Sequence, residues 1–308
     1  MIGLPEVSKV CFGCEPLGGA DWGQVSVHDI TSAVIRSLEL GLNFFDTADV
    51  YGLGMSESRL AEILGGRRHD LVIATKGGMS WAESRAGGRA IVSRDSSPRY
   101  LQRAIENSLR RLRLDRIPIY FIHWPDPNTE IRDTFEFLTR LQDAGKIVHI
   151  GCSNFSAEQV RAACEVSKVS FVQLPVNLLG EDISPEMAAL VKEKDIRVVA
   201  YNVLANGLLT GKFNIRSKFA VDDRRARLPL FQGEMYRKAL RRVAEISDLA
   251  ASENLTCAQY AINTVLRRGD IASAILGIKN RAQIEENFYP YKHHSKGNAY
   301  VGAPTYSN

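Results

Sequence analysis

Eight short apolar runs recur along the chain with helical patterns between them, and no other feature restricts the possible fold as tightly. The runs are Val10 to Gly13, Leu42 to Phe45, Leu71 to Thr75, Ile119 to Ile122, Ile147 to Gly151, Phe171 to Leu174, Arg197 to Ala200 and Ser273 to Gly277. Their continuous apolar character, rich in β-branched and aromatic residues, suits strands buried on both faces of a parallel sheet. Between them, Leu101, Ala104, Ile105, Leu109 and Leu112 recur at helical spacing behind Ser97-Pro98, a hydroxyl N-cap with proline at the first helical position. Ser156 and Gln159 have capping-box spacing ahead of Val160 and Ala163. Helices are also expected over Ser26 to Leu40, Glu57 to Leu64, Ile131 to Leu141 and Pro185 to Lys192, with Gly41, Gly65 and Gly145 as stops.

Strand and helix repeated eight times imply parallel strands joined by right-handed crossovers, and eight strands close into a (β/α)8 TIM barrel of the α/β class. A doubly wound open sheet is the alternative. It would carry a G-x-G-x-x-G turn after an early strand. Gly52-Leu53-Gly54 instead runs into Met55-Ser56-Glu57 without a third glycine. No linker, low-complexity stretch or shift in composition divides the chain, so residues 1–308 are expected to form a single domain. From Asn202 to Phe231 there is little periodicity. Loops of that length in compact proteins are usually functional or disordered, and in a barrel this one falls on the ligand-binding face.

Charge and cysteine usage exclude some classes. The formal net charge is +4, too small to argue for nucleic acid. Arg110-Arg111-Leu112-Arg113 lies on a helical pattern as a solvated face, whereas Arg224-Arg225-Ala226-Arg227 falls in the long loop and keeps a functional reading open. Five scattered cysteines, an odd number, point to reduced thiols rather than a disulfide framework. Cys11 and Cys14 form a lone C-x-x-C without the two further ligands a zinc ion would need. No apolar run is long enough to span a bilayer, and Glu6 and Lys9 interrupt the N-terminus, so a cytoplasmic protein with no membrane partner is expected.

In such barrels the active site forms at the C-terminal ends of the strands. Asp46, Lys76 and His123 follow the second, third and fourth runs; Ser153 and Asn154 follow the fifth; Gln173 sits late in the sixth and Tyr201 ends the seventh; Gly277, Ile278 and Lys279 close the eighth. Any one of these is readily a turn cap or a satisfied structural residue. Several charges converging on one mouth must be paired to offset desolvation. With Tyr51 in the loop after Asp46, they make a recognisable acid: the lysine cation favours phenolate and lowers the phenol pKa, the carboxylate orients the lysine, and the imidazole polarises a carbonyl oxygen. A hydride source is lacking, which implies a nicotinamide cofactor.

Across nearly its whole length the sequence resembles the aldo-keto reductase family. The resemblance is carried by Phe45-Asp46-Thr47-Ala48-Asp49-Val50-Tyr51-Gly52 with Glu57, by Ile73-Ala74-Thr75-Lys76, and by Ile122-His123-Trp124-Pro125-Asp126-Pro127. Ile150-Gly151-Cys152-Ser153-Asn154-Phe155, Gln173 with Asn177, and Gly207-Leu208-Leu209-Thr210-Gly211-Lys212 extend it. Gly277-Ile278-Lys279-Asn280 with Gln283, Glu286 and Asn287 completes it. It implies Tyr51 as general acid, Lys76 and Asp46 as its tuning pair and His123 as the residue orienting the carbonyl. It further implies that Ser153, Asn154 and Gln173 hold the nicotinamide amide and that Tyr201 stacks on its ring. Leu204, Gly207, Leu209, Gly211 and Lys212 are expected along the pyrophosphate and Lys279, Gln283 and Asn287 at the adenosine end, with Asn202 and Gly277 also expected to bind the cofactor. Lys279, with Arg281, can meet a 2′-phosphate, which favours NADPH/NADP over NAD.

The sequence departs from the pattern at Asn202-Val203, where Ser-Pro is common, and at Cys14-Glu15-Pro16-Leu17-Gly18-Gly19, where a Gly-Thr-rich turn is usual. Trp22, Trp81 and Trp124 fall in expected loops on the active face and are candidates for an apolar or sugar-stacking substrate wall. The leading expectation is reduction of a small-molecule aldehyde or ketone. Two others are a non-catalytic NADP(H)-sensing subunit of the same fold and a lyase forming a Schiff base on Lys76, the latter opposed by the nearby Asp46. Oligomeric state is not legible.

Overall fold

The computed structural model describes residues 3–23, 25–82 and 90–294. In chain order its strands are β1 (Val10–Gly13), β2 (Phe44–Asp46), β3 (Val72–Gly77), β4 (Met79–Ala82), β5 (Ile91–Arg94), β6 (Ile117–Ile122), β7 (Ile147–Ser153), β8 (Val169–Pro175), β9 (Arg197–Tyr201) and β10 (Ile271–Gly277). Eight of them form a closed barrel in the order β1-β2-β3-β6-β7-β8-β9-β10, every pairing parallel. The ring closes at β1, where Gly13 pairs with Gly277 on one side and Asp46 on the other. β4 and β5 make an antiparallel hairpin outside the ring.

Two apolar layers hold the barrel together. Cys11, Phe44, Ala74, Ile119, Phe121, Phe171 and Val199 fill the lumen. A larger layer packs the outer strand faces against the helices. Because side chains alternate along a strand, each residue two places beyond a lumen residue also faces the axis. That parity carries Asp46 up from Phe44, Lys76 from Ala74, His123 from Phe121, Gln173 from Phe171 and Tyr201 from Val199, all to one end of the barrel.

The helices are α1 (Val27–Glu39), α2 (Met55–Leu64), α3 (Pro98–Leu112), α4 (Ile131–Asp143), α5 (Ala157–Cys164), α6 (Pro185–Glu193), α7 (Gly233–Ser252), α8 (Cys257–Leu266) and α9 (Arg281–His294). Side chains of Ser26, Ser97, Ser156, Ser184 and Thr256 cap five of them by accepting from the third helical amide. α3 buries Leu101, Ile105, Leu109 and Leu112 along one stripe, each contributing roughly 1.5–3 kcal/mol. All five cysteines are free thiols. Among the described residues no helix is long and apolar enough to cross a membrane.

Three features differ from the sequence expectations. The hairpin is new, and Trp81 lies on its β4 strand opposite Val92 rather than in a loop. Helices α7 and α8 fill the stretch after the long connection. The connection itself is folded. It contains 3₁₀ turns at Ala205–Thr210, Arg224–Ala226 and Pro229–Phe231 and has its own small core. There Leu208, Leu209 and Phe231 are buried against Tyr236, Val243 and Ile246 of α7, and Phe213, Phe219 and Phe231 meet edge to face. Aromatic clustering replaces periodicity as the ordering force in this segment.

Candidate active site

Lys76 is the hub. Its ammonium donates to Asp46 Oδ2 at 2.5 Å, to the Thr47 carbonyl at 2.9 Å and to Tyr51 Oη at 3.3 Å. Asp46 Oδ1 accepts from Gln173 Nε2 at 2.6 Å. Both charges of the Lys76–Asp46 pair are therefore satisfied in a buried setting, the condition under which such a pair is tolerated. Tyr51 sits in the turn that leaves β2, and its ring meets the His123 ring edge-on with centroids 5.8 Å apart.

Environment sets the protonation states. Burial draws the Lys76 ammonium towards neutrality, but Asp46 and Tyr51 together outweigh it, and the lysine titrates above its ordinary value. Burial also pushes the Tyr51 phenol above its ordinary 10, with Lys76 opposing and failing to reverse it. The expected lowering by lysine is thus present as a force but not as a net result, so Tyr51 keeps its proton at neutral pH. His123 is held well below 6.5, first by burial and then by the Lys76 and Arg224 cations. It is a neutral imidazole, and its buried Nδ1 has no hydrogen-bond partner among the described residues.

A relay runs along the neighbouring rim. Tyr201 Oη donates to Asn154 Oδ1 at 2.6 Å, and Asn154 Nδ2 donates to the His123 carbonyl at 2.9 Å and to Ser153 Oγ at 3.1 Å. Asn154 adopts a left-handed backbone conformation, φ 64°, which asparagine tolerates better than most residues and which turns its amide into the relay. Asn202 is also left-handed, at φ 55°. It accepts Asn206 N–H on Oδ1 and donates to Glu181, and so starts the connection after β9 on a defined path.

These residues line a single cleft of about 890 Å³ across the C-terminal face, within the range of small-molecule and cofactor sites. The tetrad Asp46, Tyr51, Lys76 and His123 lies in its wall with Ser153, Asn154, Gln173 and Tyr201. The cleft extends past Asn202, Leu204, Gly207 and Lys212, and past Gly277, Lys279, Gln283 and Asn287. Leu209 and Gly211 do not reach it. Leu209 is buried in the core beside α7, and Gly211 ends a 3₁₀ turn against Ser247 and Cys257. Trp22 and Trp124 line the cleft; Trp81 does not. The Trp22 ring is faced by Arg224, Arg225 and Lys279 at 5.3–5.8 Å and offers cations rather than an open stacking face.

Sequence reasoning did not assign Glu15, Asn206, Arg224 or Arg225 to the site, yet all four line it. The open signal was the basic run in the long loop. Arg224 donates to both Glu15 oxygens at 2.8 and 3.0 Å, Arg227 donates to Asp21 at 2.9 Å, and Trp22 bridges to Asp223 in the manner of a strand pair. The connection after β9 is thereby strapped to the loop after β1. Lys212 and Lys279 both titrate below their usual value, first through burial and then through the Arg225 charge. Two half-buried lysines beside the Arg225 guanidinium fit an anion such as a phosphate, and the polar rim beside the tetrad fits a carboxamide. The residues present therefore suit a nicotinamide dinucleotide.

Barrel and rim together put this protein in the aldo-keto reductase class of oxidoreductases. The chain belongs to the Aldo/keto reductase family, whose model matches residues 9–295. It is 31% identical over 283 residues to the aldo-keto reductase YhdN of Bacillus subtilis, with 91% of this chain and 84% of that protein covered. It is 32% identical over 292 residues to the NADP(+) aldo-keto reductase yakc of Schizosaccharomyces pombe, with 93% and 84% covered. Among solved structures, a glycerol dehydrogenase of Gluconobacter oxydans superposes with a TM-score of 0.83 at 31% identity, over 100% of this chain and 98% of that one.

Proposed function

We propose that the protein reduces a small aldehyde or ketone to an alcohol with NADPH, Tyr51 delivering the proton. The observation that carries this reading is the Lys76 ammonium held between Asp46 and Tyr51, at 2.5 and 3.3 Å, beside a neutral His123. When bound, the reduced nicotinamide supplies the hydride. Ser153, Asn154 and Gln173 would hold its carboxamide, Tyr201 would stack on its ring, and Lys279 with Arg225 would meet a 2′-phosphate. The NADP(+) in the name of the Schizosaccharomyces pombe relative supports that cofactor choice.

The substrate oxygen sits between Tyr51 and His123. His123, uncharged, donates an N–H to it and fixes its direction. As negative charge grows on that oxygen, Tyr51 transfers its proton. The phenolate left behind is stabilised by Lys76, whose charge Asp46 keeps in place. The same pair opposes a Schiff-base lyase, since a lysine held charged by a carboxylate is a poor nucleophile. On the substrate side Val50, Val92 and Trp124 give an apolar wall, and Glu15 with Arg224 gives a polar one. That mixture suits a small polyhydroxylated or sugar-type carbonyl, a reading supported by the likeness to a glycerol dehydrogenase.

NADPH absorbance with 4-nitrobenzaldehyde and a panel of sugar aldehydes tests the proposal. Tyr51→Phe should lower kcat by about 10²–10⁴-fold while leaving NADPH affinity intact. Undiminished turnover would remove Tyr51 from its role. Tight NADPH binding by the wild type without turnover of any carbonyl would favour a sensing subunit.

A further inference from the structure

Behind the wall that carries Lys76 lies a second polar cluster that the proposed chemistry does not use. Asp49, within the turn between β2 and Tyr51, is fully buried, and beyond a poorly aligned contact with the adjacent Val50 amide its carboxyl oxygens have no hydrogen-bond partner among the described residues. The Tyr120 hydroxyl on the outer face of β6 is buried and unpartnered as well, as is Arg111 Nη2 from α3. Arg111 commits its Nε to Glu57 at 2.6 Å, and Glu57 in turn accepts from Thr75 Oγ1 at 2.6 Å.

Asp49 and Tyr120 are close neighbours, and the Arg111 charge acts on both. A Cβ placed on Gly77 would lie 1.9 Å from the Tyr120 oxygen and 3.4 Å from Asp49 Oδ2. The two oxygens therefore lie no further apart than those lengths laid end to end, a separation that one bridging water can span. Buried polar groups in folded proteins are almost always hydrogen-bonded, and those that lack a protein partner recruit ordered water where there are two to four donors and acceptors to hold it. A carboxyl, a phenol and a guanidinium edge supply that set.

We propose that Asp49, Tyr120 and Arg111 hold an internal water behind the barrel wall, and that through it Asp49 is a positioning residue for Tyr51. The mechanical link is short. The Asp49 N–H donates to the Lys76 carbonyl at 3.0 Å, and the Tyr51 N–H donates to the Ala48 carbonyl at 3.2 Å. The turn that sets the Tyr51–Lys76 distance is therefore pinned to β3 by Asp49's backbone and anchored outside the barrel by its side chain. Burial, reinforced by Glu57 and opposed by Arg111 and the Val50 amide, pushes the Asp49 carboxyl well above its ordinary 3.8. A neutral carboxylic acid both donates and accepts, as a bridging water requires. Gly77 is part of the device, since any larger residue would collide with the Tyr120 hydroxyl.

The positioning role rests on the reading of Tyr51 given above; the water does not. A high-resolution crystal structure of the full chain should show an ordered solvent atom within hydrogen-bond distance of both the Asp49 carboxyl and the Tyr120 hydroxyl. A direct Asp49–Tyr120 or Asp49–Arg111 bond with no solvent atom between would overturn the site. In kinetics, Asp49→Leu should cut kcat by roughly ten- to hundredfold, the scale of a slight misplacement of a reacting group, with KM and NADPH affinity nearly unchanged. Asp49→Asn, which keeps one donor and one acceptor, should restore most of it. Should Asp49→Leu fail to fold, Tyr120→Phe removes a single water contact at almost constant volume and should give a smaller fall of the same kind. A drop in thermal midpoint with full kcat per active site, in either variant, would make Asp49 merely structural. A wild type that turns over no carbonyl would instead retire the proposed function, and the crystallographic result would still decide the water site.

Discussion

Gly18 and Gly52 pack backbone on backbone: a Cβ built on Gly52 would lie 2.1 Å from the Gly18 carbonyl oxygen. Gly52 also holds φ 58°, in the left-handed region. Gly52→Ala should therefore cost roughly 1–3 kcal/mol in backbone strain before any displacement is counted. Displacement falls on the adjacent Tyr51, so kcat should drop further than stability alone explains. Urea denaturation with steady-state kinetics checks this; an alanine variant with unchanged midpoint and kcat would show that the two turns part without consequence.

The Lys76–Asp46 pair should be asymmetric in its energetics. Lys76→Met leaves a buried carboxylate without its cation and should destabilise the fold by roughly 3–5 kcal/mol. Adding Asp46→Asn removes the stranded charge and should recover at least about 1 kcal/mol of that, a coupling expected of residues in contact. Denaturant midpoints of the wild type, both single variants and the double variant measure it. Strict additivity would mean that the two side chains do not share one electrostatic environment.

Acid sensitivity should trace partly to His123. Its folded-state pKa lies well below the unfolded value of 6.5, so the unfolded chain takes up the proton first. The stability tied to neutral His123 is complete above pH 6.5 and is lost as pH falls below it, by up to about 1.4 kcal/mol per pH unit. His123→Asn should flatten that acid limb. Urea midpoints at several pH values down to about pH 5 provide the comparison; parallel curves for the two proteins would place the acid sensitivity elsewhere.

Lys279 reports on cofactor choice. Its ammonium donates to the Trp22 carbonyl at 2.7 Å and sits with Lys212 and Arg225 in the cationic part of the cleft. Lys279→Met should weaken NADPH by about tenfold, close to one charge-assisted hydrogen bond, and change NADH little. The NADPH preference should also shrink as salt screens the cluster. Fluorescence titration with both cofactors decides; equal losses for NADPH and NADH would assign Lys279 to the shared part of the dinucleotide.

The barrel was legible because its strands are buried on both faces and read as unbroken apolar runs, as in Ile119 to Ile122. The hairpin was not, since Met79–Ala82 and Ile91–Arg94 are short, mixed and largely exposed. α8 carried a readable capping box at Thr256 and Gln259 that went unused. Side-chain direction within a motif is invisible to spacing, which is why Leu209 and Gly211 were expected in the cleft and lie behind it. The net direction of the Tyr51 shift was missed because burial, which outweighs Lys76 there, is a property of the folded surroundings. The Arg224–Glu15 contact joins residues 209 positions apart, and no local pattern announces a pairing of that kind.

Gln173 and Asp46 share a hydrogen bond across 127 positions of sequence. A growing or half-folded chain thus lacks the finished site: Asp46, Tyr51 and Lys76 come from neighbouring parts of the ring, but Gln173, which braces Asp46, arrives from the opposite arc and meets it only once the ring has shut. Catalytic competence is then a readout of topological completion, and truncated or nicked chains that keep most of their helices should still be inert.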